Sequence, residues 1–80
     1  MTRLFVGNLS YDASESDLYA VFAQCGKVSR TDISVDPRSH RSRGQAFVEM
    51  PDPTEARSAI QQLDGVTIGG MPIVVRSVVF

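Results

Sequence analysis

Between Arg3 and Leu9 the chain alternates: Leu4 and Val6 fall on one face, Arg3, Phe5 and Gly7 on the other. That is the period of a half-buried strand. Residues 8–13 read as a connection. Ser14 then offers a helix N-cap, with Asp17 three residues on as a short-armed capping box. Leu18, Val21, Phe22 and Cys25 follow at i, i+3, i+4 and i+7, the apolar stripe of an amphipathic helix, and Gly26 stands where a left-handed C-cap would close it. Alternation returns over Val28 to Val35, with Thr31, Ile33 and Val35 pointing one way and Arg30, Asp32 and Ser34 the other. Asp36 to Ser42, rich in polar residues and holding a proline, reads as an exposed loop. Gly44 to Met50 predicts a third strand, with Ala46, Val48 and Met50 inward and Gln45, Phe47 and Glu49 outward. Asp52-Pro53-Thr54-Glu55 is a helix start: an N-cap, proline at the first helical position, and Glu at the capping-box position. Ala56, Ala59, Ile60 and Leu63 form that helix's stripe, and Gly65 ends it. Val66 to Met71 predicts a short extended piece with a Gly69-Gly70 turn, and Ile73 to Ser77 the last strand.

The element order is therefore β-α-β-β-α-β, an α+β, ferredoxin-like arrangement. One apolar stripe per helix and one apolar face per strand pack most economically as a four-stranded antiparallel sheet with both helices on the same face. Eighty residues are too few to divide between two cores, so residues 1–80 are expected to form one domain.

Composition changes this picture little. The chain is 42% hydrophobic and 21% charged, in the ordinary globular range. No apolar run approaches the roughly 20 residues of a membrane-spanning helix, and with the apolar pattern beginning at Leu4 a leader peptide is not expected. One cysteine and one histidine exclude an internal disulfide and make a metal site implausible; a reducing, cytoplasmic setting without cofactor or metal follows as the default. Cys25, on its helix stripe, is expected to be a buried small hydrophobe.

Charge is more informative. Eight Lys and Arg against nine Asp and Glu give a net charge of −1, which taken whole argues against a nucleic-acid ligand. Divided by layer, the sheet strands and their loops carry Arg3, Lys27, Arg30, Arg38, Arg41, Arg43 and Arg76 against Asp32, Asp36 and Glu49, a balance of +4. The helical layer carries Arg57 against Asp12, Glu15, Asp17, Asp52, Glu55 and Asp64, a balance of −5. Both helices on one side leave the second sheet face uncovered, and its basic residues share that face with Phe5 and Phe47. Slipping the register by one residue would bury these rings but expose Leu4, Val6, Ala46 and Val48 together, a net loss. The two rings are expected to pair on neighbouring central strands.

These residues resemble a known family. Leu4-Phe5-Val6-Gly7-Asn8-Leu9 looks like the short hexamer of the RNA recognition motif, and Arg43-Gly44-Gln45-Ala46-Phe47-Val48-Glu49-Met50 like its longer octamer. Both lie on the expected strands, and the resemblance covers essentially the whole chain, in a compact form similar to the short single-domain proteins of bacteria. It implies that Phe5 and Phe47 stack unpaired bases, that Arg43 opens the octamer as its basic residue, and that Arg3, Arg30, Arg76 and the loop residue Arg41 meet phosphates. Asn8 matches the hexamer Asn, with a role in holding the following loop. Gln45 replaces the third aromatic, which lowers the expected affinity, since one stacked aromatic contributes about 1–3 kcal/mol per base. Met50 replaces the last aromatic at an inward position, where it fills the core.

The resulting expectation is a non-catalytic module for single-stranded RNA, or single-stranded DNA, acting in post-transcriptional regulation with salt-sensitive binding and weak sequence preference. No nucleophile–base pair, carboxylate pair or metal set supports an enzyme. A protein-interaction module on the same fold is the alternative, with weak self-association through the sheet or through the apolar Val78-Val79-Phe80 end. Tyr11 stays unassigned, while Tyr19, off the helix stripe, points to the surface.

Overall fold

The structure, a computed structural model, describes residues 2–39 and 42–78, with backbone alone at residues 42 and 43. Arg41, His40, Val79, Phe80 and the side chain of Arg43 lie outside the described residues. In chain order the elements are β1 (Thr2–Gly7), α1 (Glu15–Phe22), β2 (Arg30–Val35), β3 (Ser42–Met50), α2 (Pro53–Leu63), β4 (Thr67–Ile68), β5 (Met71–Pro72) and β6 (Val74–Val78). Four strands form one antiparallel sheet in the order β2-β3-β1-β6.

The predicted register holds. Leu4, Val6, Ala46, Val48 and Met50 are fully buried, under Leu18 and Phe22 of α1 and Ala56 and Ala59 of α2. Each of the larger side chains contributes about 1.5–3 kcal/mol through burial. This one-sided core leaves the opposite sheet face uncovered by either helix, among the described residues.

Both helices start as their sequences dictate. Ser14 and Asp17 form a reciprocal capping box, Asp17 N–H donating to Ser14 Oγ at 3.1 Å and Ser14 N–H to Asp17 Oδ2 at 2.9 Å. Asp52 accepts from Thr54 and Glu55 N–H. The Glu55 carboxylate reaches across to accept Lys27 N–H at 3.1 Å. That crossing explains Gly26 differently from the sequence expectation. Helix α1 ends earlier, at a right-handed Ala23 cap, and Gly26 has φ 159°, so it is no left-handed cap. A Cβ there would lie 2.5–2.6 Å from Glu55 atoms; Gly26 is the gap through which the α2 start docks.

Several boundaries shift. Strand β1 stops at Gly7 because Asn8 turns into the left-handed region at φ 54°. Val35, expected inward, is 51% exposed. The β2–β3 register slips between Ile33 and Val35: Ile33 faces Ala46 and Val35 faces Ser42, so β3 advances further than β2 and Val35 is re-aimed. The piece before the last strand is a separate hairpin, β4–β5, turned by Gly69 and Gly70, both at positive φ. Cys25 is only partly buried against the core. No helix is long and apolar enough to cross a membrane among the described residues.

Candidate nucleic-acid interface

Strand pairing arranges the open face in rows. In the central row, Asp32 on β2, Phe47 on β3, Phe5 on β1 and Arg76 on β6 are successive partners. The row beside it runs Arg30, Glu49, Arg3, Val78. The Phe5 and Phe47 rings meet edge to face, centroids 5.8 Å apart and planes at 65°. Both are half-buried. The Arg3 guanidinium lies 4.4 Å from the Phe47 ring centroid, a cation–π distance. Its Nε is buried and has no hydrogen-bond partner, a cost the cation–π contact only partly offsets.

Gly7 makes room for this pair: a Cβ there would come within 2.8 Å of Phe5 Cε2. The Phe5 ring lies over bare backbone, and past its far edge the face dips into a hollow of about 350 Å³. Phe5, Gly7 and Val74 contribute from the sheet, Tyr11 from the β1–α1 connection, Gln45 from β3 and Met71 from the hairpin. Tyr11 is 71% exposed. Sequence reasoning left it unassigned because a connection has no periodicity to place a side chain. The loops around the hollow are tied down: Leu9 N–H donates to Gly44 C=O at 2.9 Å, and Asn8 Nδ2 donates to Pro72 C=O at 2.7 Å. Asn8 thus fastens the hairpin across the sheet end, rather than the loop that follows it.

The cations are less free than the sequence suggested. Arg30 pairs with Asp32, Nε to Oδ2 at 2.7 Å, with side chains 64% and 41% exposed. Glu49 stands between Arg30 and Arg3 in the register. Arg76 is exposed beside Phe5. Arg38 sits in a turn where Asp36 Oδ1 accepts its N–H. On the helical side the acids serve the backbone: Asp17, Asp52, Glu55 and Asp64 each accept a main-chain N–H, the last from Val75 at 3.0 Å. The −5 of that layer is in large part helix-capping and loop-tying hardware.

The described geometry is two rings in register on the central strands, uncovered, with cations around them. A sequence model of the RNA recognition motif family matches residues 4–74. The chain belongs to the RNA recognition motif family. RbpA of Synechocystis, named as an RNA-binding protein, is 50% identical over 62 residues, covering 78% of this chain and 61% of RbpA. The chain therefore spans about three fifths of the length of that curated relative. The crystal structure of RNA binding protein PG1 superposes with a TM-score of 0.95 at 35% identity, covering 100% of this chain and 96% of that one. The Rna15 RRM with bound RNA (GU) superposes with a TM-score of 0.82 at 27% identity, over 92% of this chain and 79% of that one.

Proposed function

We propose that this RNA recognition motif binds single-stranded RNA on its open sheet face, as one domain, in post-transcriptional control. The observation that carries the reading is the in-register Phe5–Phe47 pair on an uncovered face. Each ring offers a stacking platform, and every base has a π-face to set on it. Arg3 supplies a guanidinium already seated on Phe47, and Arg76 supplies an exposed charge next to Phe5. Arg43, at the head of the octamer, and Arg41, in the preceding loop, extend this cationic rim in sequence. The RNA-binding names of the relatives point the same way.

The test is a titration of short fluorescent single-stranded RNAs at two salt concentrations, with matching DNA oligomers alongside. Two to three phosphate contacts should give a log–log salt slope of roughly −1.5 to −2, at about −0.7 per contact for single strands. Absence of binding, with a mass that rises with concentration, would instead favour self-association.

Asp32 restrains the site. It holds Arg30 and puts a carboxylate next to Phe47 in the central row. Asp32→Asn is expected to tighten RNA binding about two- to fivefold at low salt, since an exposed pair and one surface charge are modest terms. The gain should shrink as ionic strength rises. Equal affinity of the two proteins at low salt would mean that Arg30 takes no part.

A further inference from the structure

We propose that the outer edge of β6 is this chain's surface for pairing with a second copy of itself, and that Asp64 holds that edge shut. The strand lies at one end of the sheet and reads Val74-Val75-Arg76-Ser77-Val78. Three of its five residues are valine, which favours strand pairing, and it carries no proline, lysine or register shift. The opposite edge is blunted: β2 carries the shift between Ile33 and Val35 and the charged Arg30 and Asp32. An edge of the β6 kind is a template for another chain unless its main-chain groups are occupied.

The segment leaving α2 occupies them in turn. Gly65 N–H donates to Ile73 C=O at 2.8 Å, and Ile73 N–H to Val66 C=O at 2.9 Å, just before the strand begins. One step further along, Val75 N–H donates to Asp64 Oδ1 at 3.0 Å. A side chain thus takes over where the main chain of that segment runs out. Asp64 is fixed for this contact: its own N–H closes α2 on Ile60 C=O at 3.2 Å, and Gly65, at φ 88°, turns the chain alongside Ile73. N–H groups alternate in direction along a strand, so Ser77 points outward like Val75, while Val74, Arg76 and Val78 face β1. Among the described residues, the edge past Asp64 offers only Val75 C=O and the N–H and C=O of Ser77.

A second copy needs more than that. In a two-fold antiparallel pairing centred on Arg76, Val75 of one copy faces Ser77 of the other, and each such pair exchanges two hydrogen bonds. Asp64 already holds the Val75 donor, so each pair keeps one bond instead of two, and its carboxylate fills the space where the incoming strand would lie. The same pairing sets Arg76 against its own copy, a like-charge contact that disfavours it further. Removing the Asp64 carboxylate restores both the donor and the space, and salt screens the arginines.

The test is sedimentation equilibrium of the full chain at low and high salt. Wild type and Asp64→Asn are expected to stay monomeric as concentration rises, because the Asn carbonyl oxygen still accepts the Val75 N–H. Asp64→Ala should show a mass climbing towards that of a dimer, most clearly at high salt, where the Arg76 contact is screened. Adding Ser77→Pro to Asp64→Ala should return it to monomer, since proline deletes an outward donor and leaves the β1 ladder intact. Thermal melts show whether each variant folds, and hydrogen exchange of wild type supplies a reading that needs no variant. Val75 N–H should exchange about tenfold or more slowly than Ser77 N–H, the protection expected of a bond to a charged acceptor. A folded Asp64→Ala that stays monomeric at both salts, or association that survives Ser77→Pro, would overturn the proposal. So would a wild-type mass that rises with concentration and falls back in Ser77→Pro, or a Val75 amide that exchanges as fast as Ser77. RNA affinity of Asp64→Ala, measured at concentrations where it is monomeric, should match wild type, so this outcome is separate from that of the RNA-binding reading.

Discussion

Phe47→Ala is expected to weaken binding of short single-stranded RNA by about tenfold or more, from the 1–3 kcal/mol that one stacked base contributes. The ring does more than offer a surface. It meets Phe5 in an edge-to-face pair, centroids 5.8 Å apart, and carries the Arg3 guanidinium at 4.4 Å. Its removal would therefore loosen two neighbours that are otherwise held ready, adding an ordering cost to each binding event. For the same reason the Phe5→Ala and Phe47→Ala losses should not add in a double-mutant cycle, as contacting residues share their effect. Phe47→Leu separates stacking from mere apolar area and is expected to lose most of the same affinity. Fluorescence anisotropy with a labelled pentamer is the measurement. An affinity unchanged by Phe47→Ala would remove the sheet face from consideration as the RNA site.

The second large effect concerns the scaffold. Phe22 is fully buried and, with Leu18, anchors α1 to the sheet. Phe22→Ala should cost about 3–5 kcal/mol, the transfer term plus an unfilled cavity. In a domain of this size that lowers the melting temperature by roughly 12 °C or more. Should the alanine variant not accumulate folded protein, Phe22→Leu leaves part of the volume and is expected to show a smaller drop of the same sign. Calorimetry or circular dichroism reads the stability. RNA affinity, measured well below the melting range, should stay near wild type, because the ring lies on the side of the sheet opposite Phe5 and Phe47. A stability effect below about 1 kcal/mol would mean that α1 is held by something other than this ring.

Those two substitutions mark the part of the molecule that was easiest to read in advance. Leu4, Val6, Ala46 and Val48 against Phe5 and Phe47 is a period-2 pattern, and a slip of one residue would exchange a buried set of four for two rings. The helix starts were equally legible, since Ser14 with Asp17, and Asp52 with Pro53, satisfy orphan N–H groups by local geometry alone. Gly26 was legible as special but not for the right reason. Local rules suggested a left-handed cap, whereas the constraint is the approach of Glu55 from 29 residues further along the chain. Val35 failed because alternation assumes an unbroken ladder, and the β2–β3 register shift breaks it.

The charge balance shows the same division. Segment counting assigned a basic balance to the sheet layer and an acidic one to the helical layer. It could not find that Asp32 would hold Arg30, or that four helical-layer acids would be spent on main-chain N–H groups. Pairing within a layer depends on rotamers and approach distances, which no count contains.

What the sequence by itself determined is the element order, the inward and outward faces of each strand, and the presence of two aromatics on the face away from the helices. Periodicity decides these, because side-chain direction follows backbone geometry residue by residue. Only the tertiary structure decided that the rings touch edge to face, that Arg3 lies over one of them with its Nε unpartnered, and that Tyr11 and Gln45 line one hollow with Phe5. Each of those depends on segments far apart in the chain meeting at fixed distances. A non-periodic connection such as the one carrying Tyr11 takes its shape from the strands and hairpin that it is tied to.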